Sequence, residues 1–273
     1  TRMIYKFTTS PKARRLTKTE KSQYEKWGYV KNLPVFNEDE IPVLKEYFYE
    51  MVALMPQGKH ISSVNWWAKA NRKIYDLMHT SAILDYIEDI LGSNIILWGG
   101  NCFAKFPKDR TVVPWHQDAQ YWPLKPMKSV TAWLAIFDSD EENAAMQIVR
   151  GSHHWGMKEH HINKDKNYIL NQEIDSADIK KEDIVTLDLK AGEISLHDNR
   201  IIHGSGQNYS ERIRAGLAIR YSPTEVKCDL KVWPTFEVYL VRGVDDYKHN
   251  PLAKVPSGNR SPVSKNQGSW EFP

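Results

Sequence analysis

Residues 114–118 read Pro114-Trp115-His116-Gln117-Asp118, and further along stand His203-Gly204-Ser205 and Arg214. His116 and Asp118 are two apart, so on an extended chain both side chains project from one face. His203 follows the apolar pair Ile201-Ile202, which reads as a second strand able to bring a third ligand. Two imidazoles and one carboxylate can cap one face of a metal ion and leave about three positions open, the pattern of a non-haem Fe(II) oxygenase. A His-x-Asp pair alone is common by chance, and a lone His116 is more often a core or surface histidine than a ligand. The joint presence of Asp118, His203 and Arg214 reverses that weighting.

Working outward, the bulk properties exclude several classes. The 273 residues are 41% hydrophobic and 26% charged, which suits a globular protein with a full core. The net charge of +3 gives no field suited to nucleic acid or an anionic membrane. Cys102 and Cys228 form neither a disulfide framework nor a zinc spacing, and an intracellular, cytoplasmic location is the expectation. No apolar run is long enough to cross a membrane, and the start of the sequence lacks the apolar core of a secretory leader.

Local signals then order the chain. A helix is expected from Thr17 to Gly28, with a strand at Tyr29–Lys31. Asn37 and Glu40 have capping-box spacing before a helix with Ile41, Leu44, Phe48, Val52 and Met55 on one face. Ser81 is expected to cap another helix, ended by Gly92. Residues 60–72 (HISSVNWWAKANR) are either packed core, through Trp66 and Trp67, or a loop that sets Trp66, Lys69 and Arg72 against substrate. From Asn94 strands dominate, at Ile95–Phe106, Val112–Trp115, Val130–Phe137, Ala145–Val149, Ile184–Leu187, Glu193–Leu196, Ile201–His203, Ala215–Tyr221 and Glu237–Val241. Strands after a helical block point to a helix-flanked β-sandwich or barrel. Polar residues 153–183 interrupt them as a lid or binding loop would.

Arg214 lies eleven residues after His203 across a turn-like segment, so the two strands should form a hairpin. An arginine there can grip a carboxylate with both arms of its fork. Alternation puts Arg214, Gly216, Ala218 and Arg220 on one face. Arg220 is then either a substrate contact or half of a salt bridge at the cavity rim.

Taken together, these motifs resemble the phytanoyl-CoA dioxygenase family. The resemblance is carried by His116-Gln117-Asp118 with Ala119-Gln120-Tyr121-Trp122-Pro123-Leu124, Val130-Thr131-Ala132-Trp133, Glu142-Asn143-Ala144-Ala145-Met146-Gln147, Gly151-Ser152-His153, Ala191-Gly192-Glu193, His203-Gly204-Ser205-Gly206-Gln207-Asn208 and Arg220-Tyr221. It runs from about Thr17 to Gly243; Arg150 departs from it, standing where the family usually has proline. The resemblance implies a mainly β fold with flanking helices and a double-stranded β-helix (jelly-roll, cupin-like) core. It also implies an Fe(II)- and 2-oxoglutarate-dependent dioxygenase using O2. By the same resemblance His116, Asp118 and His203 bind iron, Arg214 and Ser205 anchor the far carboxylate of 2-oxoglutarate, Thr131 lines the co-substrate pocket and Trp122 closes over it.

The expectation is one oxygenase domain over residues 1–273, with a helical flank at 1–93, a core at 94–243 and a tail at 244–273. Its substrate is expected to be a small polar, anionic metabolite touched by Arg220, Trp66, Lys69 and Arg72, oxidised by hydroxylation. The alternatives are oxidative cyclisation or desaturation with the same cofactors, or a non-catalytic metal- or ligand-binding protein. His153, His154, His160 and His161 lack the partners of a zinc site and are read as motif or surface residues, and His197 as a satisfied core or second-shell histidine.

Overall fold

The computed structural model describes residues 5–263; residues 1–4 and the end of the tail, 264–273, lie outside the described residues. Helix α1 spans Lys18–Trp27. Thr17 accepts from the Glu20 amide while Glu20 accepts from the Thr17 amide, and Gly28 (φ 82°) turns the chain out in the left-handed region. Strand β1 (Tyr29–Pro34) follows at once. The Asn37 box does not form. Asn37 instead caps a single 3-10 turn, Glu38–Glu40, because the buried Glu40 carboxylate accepts from the Tyr5 hydroxyl and the Thr8 amide, both at 2.7 Å.

Helix α2 (Ile41–Ala53) buries Leu44, Tyr47, Phe48 and Met51. Short helices α3 (Trp67–Ala70) and α4 (Arg72–Met78) precede α5 (Ser81–Leu91). Thr80, not Ser81, is the N-cap of α5, and its side chain makes no capping bond. Strands then run β2 (Ile95–Lys105), β3 (Val113–Gln117), β4 (Leu124–Lys125), β5 (Val130–Ala135), β6 (Gln147–Val149), β7 (His160–Ile162), β8 (Gln172–Ile174), β9 (Ile184–Thr186), β10 (Glu193–Asp198), β11 (Ile202–Ser205), β12 (Arg214–Pro223), β13 (Lys227–Cys228) and β14 (Tyr239–Arg242).

A six-stranded sheet has the order β1-β10-β5-β12-β2-β14, and a four-stranded sheet has β3-β11-β6-β9. Every pair in both is antiparallel. This corrects the expectation of a mainly β fold with a double-stranded β-helix (jelly-roll, cupin-like) core. Among the described residues no ladder joins the two sheets and neither closes into a barrel, so the architecture is a mixed α and β fold with several open antiparallel sheets. The physical reason lies at the edges. β1 comes from the helical flank and β14 from the end of the strand block, and each ends the larger sheet. The polar insertion also differs from a bare loop, since it contains the β7–β8 hairpin.

Strand β12 is buried along nearly its whole length because both its faces are covered. Ala215, Leu217, Ile219 and Tyr221 face a core shared with Leu44, Phe48, Met51, Met78, Ile83 and Ile87 from the helices. Burying each large apolar side chain of that set contributes about 1.5–3 kcal/mol. The opposite face carries Arg214, Gly216, Ala218 and Arg220, and register extends it sideways. Arg214 pairs with Lys105, Ala218 with Asn101 and Trp133, and Arg220 with Gly99 and Thr131, while Thr131 pairs with His197. At Gly216 a Cβ would stand 2.4 Å from the Trp133 ring, so only glycine leaves room for that indole. Among the described residues, no helix is long and apolar enough to cross a membrane.

Candidate active site

Between the two sheets lies a cavity of about 470 Å³. The smaller sheet brings His116 (β3) and His203 (β11) to its wall as directly paired residues, their ring centroids 4.2 Å apart. Asp118 opens the 3-10 turn after β3, and its Oδ1 lies 3.2 Å from His116 Nε2 and 3.5 Å from His203 Nε2. One ligand atom from each of the three falls within 4.8 Å of the others.

The backbone fixes which nitrogen of each ring is available. His116 Nδ1 sits 2.8 Å from the Pro114 carbonyl and His203 Nδ1 3.0 Å from the Ile201 carbonyl. A carbonyl only accepts, so both Nδ1 atoms carry the proton and both Nε2 lone pairs face Asp118. Burial, reinforced by neighbouring His116, pushes His203 down to about 4, so its imidazole is neutral at physiological pH. Burial alone would raise Asp118, but the facing His203 and His116 rings and Arg220 outweigh it and hold the carboxyl well below the usual range. Two imidazole nitrogens and an ionised carboxylate oxygen on one open wall are a donor set that fits a divalent transition metal.

Gln117, between these residues, is fully buried. Its side-chain amide donates to the carbonyls of Gly156 and Arg200, and its oxygen accepts from the Lys158 amide at 2.8 Å. The Gln117 backbone amide donates to His160 Nε2, so His160, expected on the surface, instead braces the metal strand. The insertion so anchored brings Ile169, Leu170 and Asn171 over the cavity.

Arg214 is 3% exposed and aims at the far end of the cavity. Its Nη2 donates to Ser205 Oγ at 3.3 Å, its guanidinium lies 5.7 Å over Trp133, and its Nε has no protein partner. Burial draws its pKa down to about 10. Beside it Lys105 is buried, with Nζ directed to the carbonyls of Thr111, Ser205 and Gly206, and burial followed by the charge of Arg214 lowers it to about 7. Thr131 and Trp122 also line the cavity. Arg220 does so too, and it forms no salt bridge among the described residues, against the rim-pair alternative. It is held by Asn101 and by the rings of Trp98 and Trp122, 5.9 and 5.2 Å away.

Trp66, Lys69 and Arg72, expected against substrate, are not among the residues that line this cavity. Trp66 packs edge-on against Trp233 and Phe236, and Lys69 lies over Trp66 and pairs with Glu237 at 3.2 Å. Arg72 pairs with Asp76 one turn along α4 at 3.0 Å. These charges found nearer partners on their own side of β2. Lys105 and Tyr121 are lining residues to which the sequence reading gave no role, and His197 lines the cavity as well. Neither ring nitrogen of His197 has a hydrogen-bond partner, but Nε2 stands 4.0 Å from Asp118 Oδ2, beside the metal triad, and burial pushes the ring down to about 3.

The family model described as Phytanoyl-CoA dioxygenase (PhyH) matches residues 38–216. The chain is 25% identical over 183 residues to the peroxisomal phytanoyl-CoA dioxygenase of Mus musculus, covering 64% of this chain and 53% of that protein. It is 28% identical over 165 residues to a probable alpha-ketoglutarate-dependent hypophosphite dioxygenase of Stutzerimonas stutzeri, covering 59% and 54%. The chain thus spans about half the length of these curated relatives. Among solved structures it resembles in fold an apo non-heme monooxygenase, ThoJ (TM-score 0.73, 24% identity, 87% and 88% covered). It also resembles CytC3 with Fe(II) and alpha-ketoglutarate (TM-score 0.65, 20% identity, 95% and 98% covered).

Proposed function

The chain belongs to the phytanoyl-CoA dioxygenase family, and from that premise we propose that it is an Fe(II)- and 2-oxoglutarate-dependent oxygenase of a small polar, anionic metabolite. One observation carries the reading. Both histidines commit Nδ1 to backbone carbonyls and turn Nε2 to an ionised Asp118, in a cavity whose far end holds a guanidinium with no acid partner among the described residues.

His116, Asp118 and His203 would hold the metal. Arg214 would take the far carboxylate of 2-oxoglutarate on its fork, with Ser205 beside it and Lys105 adding a proton-dependent charge. When bound, Fe(II) with 2-oxoglutarate and dioxygen supplies the oxidising power to convert an unactivated C–H bond to an alcohol, with release of succinate and carbon dioxide. The rest is positioning. Thr131 and Trp122 shape the pocket, Arg220 meets the substrate, and Tyr121, Ile169 and Leu170 keep water out. Residues 1–273 would serve as one oxygenase unit, since helix and strand side chains share a core.

Anaerobic addition of Fe(II) and 2-oxoglutarate tests the centre. A weak visible charge-transfer band is expected, and its absence favours the non-catalytic binding protein. A substrate screen scored by succinate release then separates outcomes by product mass. Gain of one oxygen marks hydroxylation; loss of two hydrogens marks desaturation or ring closure.

A further inference from the structure

We propose that Arg220, Thr131 and His197 form a second oxyanion position beside the metal ligands, which takes a carboxylate or phosphonate of the substrate itself. The proposal rests on the oxygenase reading above and deepens it. It fixes both the chemical class of the substrate and where it is oxidised, at a carbon within a few bonds of that anion.

The three residues are one lateral row of the larger sheet. His197 pairs directly with Thr131, and Thr131 with Arg220. Directly paired residues share a face, and neighbouring strands lie about 4.8 Å apart, so the row spans roughly 10 Å. All three line the cavity and are at least nine-tenths buried. Each also has a polar atom without a protein hydrogen-bond partner: Arg220 Nε, Thr131 Oγ1 and His197 Nδ1, while His197 Nε2 stands 4.0 Å from Asp118 Oδ2. Buried donors are almost always paired, so three neighbours lacking acceptors indicate that the acceptor arrives from outside. The guanidinium is held for such a guest. Asn101 Oδ1 accepts from Nη1, Trp98 and Trp122 flank the plane, and Gly99 opposite carries no side chain to crowd it.

Charge balance points the same way. Asp118 is the sole acid lining the cavity among the described residues, against Arg214, Arg220 and Lys105, the last neutral above about pH 7. A divalent metal more than neutralises Asp118, and the two carboxylates of 2-oxoglutarate then offset Arg214 and the metal's remaining charge. One positive charge is left over, on Arg220. An uncompensated charge on a buried side chain is costly, and an anionic substrate removes it. Arg220 lies within electrostatic reach of Asp118 whereas Arg214 does not, which places this anion at the metal end and apart from the co-substrate's distal carboxylate.

The test uses the whole protein loaded with Ni(II) and 2-oxoglutarate, so that no turnover occurs, and reads binding by calorimetry. The probes are straight-chain carboxylates and phosphonates of two to six carbons, each against its neutral amide. At least one anion should bind, with its amide about tenfold weaker or worse. Arg220→Gln should lose about tenfold or more of that affinity, as expected for a charge-assisted hydrogen bond, and 2-oxoglutarate affinity should stay within about threefold. Thr131→Val, nearly isosteric, asks the same question should the arginine variant not fold, with a smaller loss expected. Equal binding of anions and amides, or no anion binding to the loaded protein, overturns the proposal alone. So does a loss confined to 2-oxoglutarate, which would assign the row to the co-substrate's metal-side carboxylate. A protein that never takes up 2-oxoglutarate defeats the oxygenase reading as well.

Discussion

Replacing Arg214 by methionine should raise the stability of the empty protein while crippling its hold on 2-oxoglutarate. The guanidinium is 3% exposed, has no acid partner among the described residues, and makes one side-chain hydrogen bond, 3.3 Å long, to Ser205. Without ligand it is therefore a buried charge with little to offset its lost hydration. Apolar replacement of buried charged groups is often stabilising by about 1–4 kcal/mol. Taking the lower half of that range, about 1–2 kcal/mol, Tm should rise by about 2–6 °C for a chain of this size. Binding moves in the opposite direction. Removing one partner of a buried, hydrogen-bonded charge pair costs about 2–5 kcal/mol, or roughly 30- to 5000-fold in Kd. Thermal unfolding of the metal-free protein and titration of the Ni(II)-loaded protein with 2-oxoglutarate measure the two effects separately. An Arg214→Met protein that melts lower yet binds 2-oxoglutarate as well as the wild type would show the arginine to be structural, and the reasoning would fail.

Three further outcomes follow from the same wall of the cavity. His203 and His197 are depressed to about 4 and about 3, below their unfolded value near 6.5, so they stay neutral while the unfolded chain takes up protons. Stability of the metal-free protein should thus fall as pH drops from about 6.5 towards 4, by up to about 1.4 kcal/mol per pH unit for each histidine. Denaturant titrations should show this slope reduced in His197→Leu. Lys105, lowered to about 7, is charged below that pH and neutral above it, so 2-oxoglutarate should bind more tightly at pH 6 than at pH 8. Calorimetry should find that dependence flattened in Lys105→Met. At Gly204 a Cβ would stand 2.7 Å from the Val113 carbonyl, so Gly204→Ala must push β11 from β3 between His203 and Ser205. We expect it to destabilise by about 1–3 kcal/mol and to weaken Ni(II) binding; unchanged metal affinity would show that the ligand pair tolerates the shift.

That His116, Asp118 and His203 converge and that Arg214 lines the same cavity was legible because those signals are local, two-residue spacing on a strand and an alternating face; the hairpin expected between His203 and Arg214 does not form, since β11 and β12 belong to different sheets. The nine strands expected from Ile95 onward were found for the same reason, to within a residue or two at their ends, whereas the short β4, β7, β8 and β13 were not foreseen. Whether the sheets close was not local, since it depends on β1 and β14, which lie far apart in sequence and end the larger sheet. Trp66, Lys69 and Arg72 take partners outside the cavity lining, and nothing local foretold the pairing of Lys69 with Glu237 across more than 160 residues. Lys105 and Asn101 were within reach, as the face that carries Arg214 continues across β2 at these residues. Seeing them needed the register, which comes from strands meeting rather than from either strand alone.

The Gln117 clamp has a practical corollary for redesign. A segment exchanged for residues 156–175, to admit a bulkier guest, must present a carbonyl where Gly156 now accepts and an amide where Lys158 now donates. A graft lacking either would leave a buried carboxamide unsatisfied between two members of the metal triad. The fault would then register as poor loading with iron before any change in selectivity could be observed.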